Sequence, residues 1–379
     1  MVSKLFKDFI KSEQSGGTIL LIATLLSLAL SNTLIGNSYV AFWHTEFGGH
    51  QIVEWINDGL MSLFFLLIGL ELERELYSGE LSSFKNAILP VIGAIGGVLL
   101  PALIYFGLTK GTLADDGIGI PMATDIAFAV GILGILGSKV PTPLKVFLTA
   151  LAVMDDLLAI LVIAFFYSSD ISLMYLFGAL FIWLLLFLCN RMKWQYDLIY
   201  IIGGIALWYC MLQSGVHPTL AGVILAFALP FGNGSSTSIS YRWQHRLHLP
   251  VAFIVLPIFA LANTAIPLPN GIVQHMFNPE AKGIIAGLTL GKPLGIALFC
   301  MVATKLRWAT WPDGIGWKQI LGVGFLGGIG FTMSIFITLM AFTDQNMIDV
   351  SKVAIMLASL ISAIVGLIYL SVVLPAKKK

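Results

Sequence analysis

What most constrains this chain is a series of long apolar runs, recurring from end to end with few charges inside them. A helix needs roughly 20 mostly apolar residues to cross the hydrocarbon core of a bilayer. Runs near that length fall at 14–32, 55–72, 87–108, 118–137, 143–167, 173–190, 197–212, 215–230, 242–264, 282–304, 319–342 and 350–374. The seventh and eighth are short enough to be tilted, interfacial or broken. Of 379 residues, 58% are hydrophobic and 11% charged, against roughly 25% charged in a soluble domain. A water-soluble fold cannot hide that much apolar surface, so lipid is the expected surrounding. Backbone groups without water must bond within their own segment. The sequence therefore predicts an all-α polytopic membrane protein of about twelve transmembrane helices. Its net charge of +1 gives no reason to expect nucleic acid as a partner.

The basic residues orient the spans. With the N-terminus inside, 17 of the 21 Lys and Arg fall in cytoplasmic segments, from Lys4, Lys7 and Lys11 to Lys377, Lys378 and Lys379. Lys110, Lys282 and Lys352 fall on the opposite side, and Lys292 lies within a span. The positive-inside rule then predicts both termini in the cytoplasm. The apolar run after Lys11 resembles a signal peptide, but no A-x-A-like site follows it, and it reads as the first retained helix. Cys189, Cys210 and Cys300 lie in apolar runs without CxxC spacing and read as buried free thiols.

Two spans carry breaks. The fourth has Pro121 followed by MATDIAF, and the eleventh has GGIGFTMS at 327–334, with Gly327, Gly328 and Gly330. Such residues weaken the helical ladder, and freed backbone groups persist in a membrane only where protein, ions or water satisfy them. Packing through small residues is the plain alternative for each break. Spans 3–5 and 10–12 run in opposite senses, each triplet centred on a broken helix. This is the layout of an inverted-topology repeat with two crossing broken helices. The whole chain, 1–379, then reads as one transporter domain. Its core bundle is 87–167 with 282–374, and the remaining spans form an interface or scaffold bundle.

Asp125, Asp155, Asp156 and Lys292 fall near span centres. A charge there costs at least ~2.5–3.5 kcal/mol on insertion scales. A buried ion pair fixing helix register would need one acid and one lysine. Three acids leave surplus carboxylate that protons or cations must neutralise. Successive helical residues point ~100° apart, so one of Asp155 and Asp156 can point at Asp125 while the other faces Lys292. Carboxylates, the Thr124 hydroxyl and unwound carbonyls suit a small hard cation such as sodium or lithium. Protons compete for the same oxygens, and that competition couples their opposite movements. An acid near paired helix N-termini and a cation near paired C-termini would neutralise the opposed partial charges of broken helices. Asp125 and Lys292 are the candidates.

At these residues the sequence resembles the NhaA-type sodium/proton antiporters. The matching stretches are WINDGLMSLFFLLIGLELEREL (55–76), IPMATDIAFAVGIL (120–133), LTALAVMDDLLAI (148–160), SGVHPTLAGV (214–223), GLTLGKPLGIALF (287–299) and GGIGFTMSIF (327–336). The resemblance implies a bacterial inner-membrane exchanger that is electrogenic, moves more protons than sodium ions per cycle and is activated at alkaline pH. It implies no cofactor, the ions being cargo. Asp125 and Asp156 look like the ion-site acids, Asp156 the main sodium ligand. Asp155 looks like the partner of Lys292, with Thr124 in support. Glu71 and Glu75 fit the family's pH-sensing acids at the inner mouth, and His245 and His248 titrate in a suitable range. Ordinary solvated helix ends are the alternative for all four, and His217 reads as a packed or capping residue. Gln244 stands where relatives carry an acid. The 33–54 loop is shorter than in relatives that build a dimerising hairpin, although FGGHQ can form a tight turn, so a homodimer is one option.

Two other functions compete. A sodium-coupled organic-anion symporter would want Asn, Gln, Ser or Arg facing a larger cavity, and the spans lack an arginine at mid-depth. An intramembrane aspartyl protease would not need Lys292, and no GxGD pattern surrounds the acids. The chain is expected not to be an enzyme.

Overall fold

In the computed structural model, which describes residues 4–168, 171–268 and 271–374, the regular structure is almost all helical. Helix α1 (Lys4–Ser31) is followed by a short α2 (Gly36–Trp43), bent from it by 120°. A two-residue hairpin comes next, β1 (Glu46–Phe47) against β2 (His50–Gln51), where FGGHQ promised a turn. Gly48 and Gly49 supply the left-handed φ of 64° and 88° that its connection demands. The remaining principal helices are α3 (Ile52–Ser78), α4 (Phe84–Thr109), α5 (Ile126–Ile135), α6 (Thr142–Phe166) and α7 (Leu173–Arg191). They continue as α8 (Asp197–Ser214), α9 (Leu220–Ala226), α10 (Ile239–Asn263), α11 (Pro279–Lys305), α12 (Trp317–Gly327), α13 (Phe331–Ala341) and α14 (Gln345–Val373).

Among the described residues, nine helical stretches are long and apolar enough to cross a bilayer, or eleven if each bent pair counts as one span. The bent pairs are α1 with α2 and α12 with α13. The eighth apolar run, 215–230, does not make a full span. Gly215, with φ 77°, ends α8, and the chain turns through Pro218 before the seven-residue α9 begins. That helix is buried by close packing: a Cβ on Gly222 would lie 2.3 Å from the Ser62 carbonyl of α3. Lys352, expected on the outer surface, is only 7% exposed within α14. Cys300 is buried, while Cys189 and Cys210 are half-buried, because the faces of α7 and α8 that carry them are less enclosed. Lys377, Lys378 and Lys379 lie outside the described residues.

Two compact units divide the chain: residues 1–18, 83–159 and 268–379 form one, and 19–82 with 160–267 form the other. In the first, α4 and α11 pack backbone to backbone at Gly96 and Gly295. A Cβ on Gly96 would sit 2.4 Å from the Gly295 carbonyl, and one on Gly295 would sit 2.1 Å from that of Gly96. Small residues substitute here for a hydrophobic driving force that lipid does not provide. Around this contact Leu89, Leu151, Ile296, Cys300, Val323 and Leu326 form the apolar core. In the second unit α3 is the centre. Its Asn57 pairs with Asn263 of α10 at 2.7 Å, and Trp208 of α8 donates to its Asp58 carbonyl at 2.9 Å.

Candidate functional site

The first unit is organised around two interrupted helices. Residues Asp115–Met122 form a tight 3-10 turn containing Pro121, the chain then extends through Ala123 to Asp125, and α5 begins at Ile126. The second interruption runs from Gly327 to Phe331 and bends α12 from α13 by 52°. The two gaps bond to each other: the Asp125 N–H donates to the Ile329 carbonyl at 2.6 Å. The Thr124 hydroxyl reaches the Gly327 carbonyl at 2.8 Å, and Ser334 donates to the Ile120 carbonyl at 2.7 Å. Backbone groups released by each break are thus satisfied by the other, as a membrane interior requires. The glycines here supply space. Gly328 and Gly330 have φ of −71° and −97°, open to any residue. A Cβ on Gly330, however, would meet the Ser334 hydroxyl at 2.2 Å.

Asp125 caps both outgoing helices. Its Oδ1 accepts from the Phe128 N–H of α5 at 3.1 Å, and its Oδ2 from the Thr332 N–H and hydroxyl of α13 at 3.0 and 2.5 Å. One carboxylate therefore faces two positive helix ends. Lys292 takes the reciprocal place: its Nζ donates to the Met122 carbonyl, where the 3-10 turn ends, and pairs with Asp155 Oδ2 at 2.8 Å. That same Oδ2 accepts from Thr124 at 2.6 Å, whereas Asp155 Oδ1 takes no hydrogen bond from the protein. Asp156, 2% exposed, follows Asp155 directly in α6. Asp125, Thr124, Asp155 and Lys292 are thus joined to the crossing, all of them buried, and Asp156 is buried next to Asp155 in the chain. Among the described residues, no three His, Cys, Asp or Glu side chains converge as a metal-ion set. A cation here would need hydroxyl or carbonyl oxygens beside the carboxylates.

Thr332 was not singled out in the sequence, although its motif was. It becomes visible only once the break after Gly330 is fixed, which puts it in the first turn of α13. Thr332→Val keeps the shape and the N–H bond but removes the hydroxyl from Asp125. A bond to a charged group contributes about 1.5–3 kcal/mol, so the purified variant should melt earlier and Thr332→Ser should not. Equal melting of Val and Ser variants would show that the hydroxyl bond contributes nothing.

The residues named for pH sensing lie in the second unit. Glu71 Oε1 is 3.9 Å from His248 Nδ1, both side chains mostly covered. His245 stacks on Tyr241 with centroids 6.3 Å apart, and Glu75 is half-buried. The acid most enclosed in this segment is a different one: Glu73, 4% exposed, accepts from Ser240 of α10 at 3.0 Å. Glu73 follows Gly69 by one turn, and Gly69 faces inward, a Cβ there lying 2.7 Å from that of Ala226. Gln244 accepts from Arg74 at 3.2 Å, and His217 Nδ1 lies 3.0 Å from the Thr219 hydroxyl.

The chain has close and distant likenesses. A Na(+)/H(+) antiporter NhaA of Cytophaga hutchinsonii is 56% identical over 98% of this chain and 96% of its own. NhaA 1 of Flavobacterium johnsoniae is 55% identical over 100% and 99%. The NhaA of Helicobacter pylori is 43% identical over 97% and 95%. Among solved structures, the sodium proton antiporter MjNhaP1 of Methanocaldococcus jannaschii matches with a TM-score of 0.55 over 96% of this chain and 95% of that one. At 15% identity that match speaks to the fold alone. The profile of the family described as Na+/H+ antiporter 1 matches residues 7–370. A match over that length takes in both broken helices, every buried charge at their crossing and the scaffold beyond, so this multi-pass membrane protein belongs to the Na+/H+ antiporter 1 family.

Proposed function

We propose that this chain exchanges intracellular sodium or lithium for external protons across a bacterial plasma membrane, electrogenically and with activation at alkaline pH. One observation carries the reading: three carboxylates and a single lysine are buried together where two broken helices cross. That surplus must be neutralised by protons or by a cation, and both compete for the same oxygens. Asp156 is the main cation ligand, with Asp125 and Thr124 in support. Asp155 and Lys292 hand a proton between them. Thr124 has one proton for two acceptors, so it turns to Asp155 when that acid is charged and to Gly327 when it is protonated. The first unit carries the ion and the second serves as scaffold, with both termini in the cytoplasm. Glu71, Glu75, His245 and His248 set the pH response. The names borne by the relatives support this reading.

The test uses everted vesicles with an acid interior and a pH-reporting dye. Added sodium should collapse the gradient between about pH 7 and 8.5, where protons become scarce enough for sodium to compete. With one competing proton, the sodium concentration for half-maximal response should rise roughly tenfold per pH unit as pH falls. A gradient that persists throughout this range with sodium and lithium overturns the proposal.

A further inference from the structure

Several buried polar groups of the first unit serve none of the contacts above. The Leu288 carbonyl is one. A π-helical turn spans Gly287–Gly291, and the Lys292 N–H that would bond it in an α-helix goes to Gly287 instead. The donor one residue further on would be Pro293, which has no N–H. This carbonyl lies 2.3 Å from where a Cβ on Gly328 would sit, and the Ser362 hydroxyl of α14 lies 2.9 Å from the same point. Ser362 nonetheless has no hydrogen-bond partner. Ser359 and Ser351 are also buried in α14 with hydroxyls that bond to nothing in the protein.

These serines share one helical face, and Leu360, Ile364 and Ile368 on the opposite face are 57%, 49% and 60% exposed. Between Ser351 and Ser359 the face carries Ala354, Ile355 and Ala358, all fully buried, the two alanines leaving room beside the isoleucine. Lys352, 7% exposed, closes the series near the start of α14. From Ser362 to Ser351 the helix rises about 16 Å. At the inner end, Gly328 adjoins Gly327, whose carbonyl is held by Thr124, itself bonded to Asp155. Leu288 and Lys292 lie one turn apart on α11.

Buried polar groups without protein partners are where proteins hold internal water. We propose that this face of α14 is hydrated from Lys352 to Ser362, and that the water file carries protons between the outer surface and the Asp155–Lys292 pair. The inference rests on the antiport reading and on its orientation, and it gives the proton a route lined by neutral oxygens.

Thiol access to silver ion tests it without requiring transport. Ser351→Cys, Ser359→Cys and Ser362→Cys are made one at a time in the full chain with Cys189, Cys210 and Cys300 replaced by alanine. Leu360→Cys is the lipid-facing control. Silver ion is added outside right-side-out proteoliposomes, and the thiol left unreacted is counted after unfolding. The thiolate is the metal-binding form and needs water to exist, so Ser359→Cys and Ser362→Cys should react at least about tenfold faster than Leu360→Cys. Should Ser362→Cys fail to insert, Ser351→Cys and Ser359→Cys still decide. Reaction no faster than at Leu360→Cys, or reaction only with silver inside, overturns the route. Loss of sodium-driven exchange with silver access intact would instead count against antiport.

Discussion

Lys292→Met should destabilise the purified protein by about 3–5 kcal/mol, the usual cost of removing one partner of a buried ion pair. Lys292 and Asp155 are fully buried, and among the described residues no other cation is paired with Asp155. Without the lysine, Asp155 keeps only the Thr124 hydroxyl, and the Met122 carbonyl loses its donor. The deficit should shrink toward acid pH, where a proton on Asp155 removes the stranded charge. Thermal melting in detergent measures both effects. The pairing itself is isolated by a double replacement: Lys292→Met with Asp155→Leu should recover most of the loss, because an apolar pair of similar volume carries no desolvation cost. A double variant that melts no higher than Lys292→Met would show that the two residues are not energetically coupled.

The second large effect is on exchange. Asp156→Asn should abolish sodium-driven proton movement at a smaller cost in melting than Asp125→Asn, since the Asp156 Oδ1 takes no hydrogen bond from the protein and an amide NH2 can stand in its place. Asp125→Asn should lose exchange and stability together. The carboxylate accepts three bonds on two oxygens, and an asparagine offers one oxygen and an NH2 group. Either Phe128 or Thr332 would then face a donor, at about 1–3 kcal/mol for an unsatisfied buried group. Exchange assays in everted vesicles with melting of the same preparations separate the two. If Asp156→Asn retains exchange at wild-type sodium affinity, Asp156 is not the main ligand.

Much of this crossing was legible in advance for one reason: charges in lipid are few, so each one found inside a span is informative. Pro121 and the cluster at 327–330 marked both interruptions, and Asp125, Asp155, Asp156 and Lys292 stood out as soon as the spans were drawn. Thr332, Met122 and Ile329 did not. Their contributions come from backbone groups or from a hydroxyl placed by the bend, and a threonine in an apolar run is too common to notice. Glu71 and Glu75 drew attention over Glu73 because all three share one charged segment, and only the packing of α10 on α3 shows which is enclosed. The run 215–230 passed the apolarity test yet makes only α9, since hydropathy cannot distinguish a residue buried in protein from one facing lipid.

The sequence by itself determined the membrane setting, the helical class, the two broken helices and the surplus of acid over base within the spans. These follow from composition and local chemistry: lipid tolerates only self-satisfied backbone, and proline and clustered glycines interrupt a ladder wherever they fall. Only the tertiary structure decided that Asp155 takes the lysine, that Asp125 caps two helices at once, and that the glycines at 328 and 330 yield room to neighbours. Each of these joins segments up to about two hundred residues apart, and which carboxylate meets which helix end depends on where three-dimensional packing brings the two breaks together.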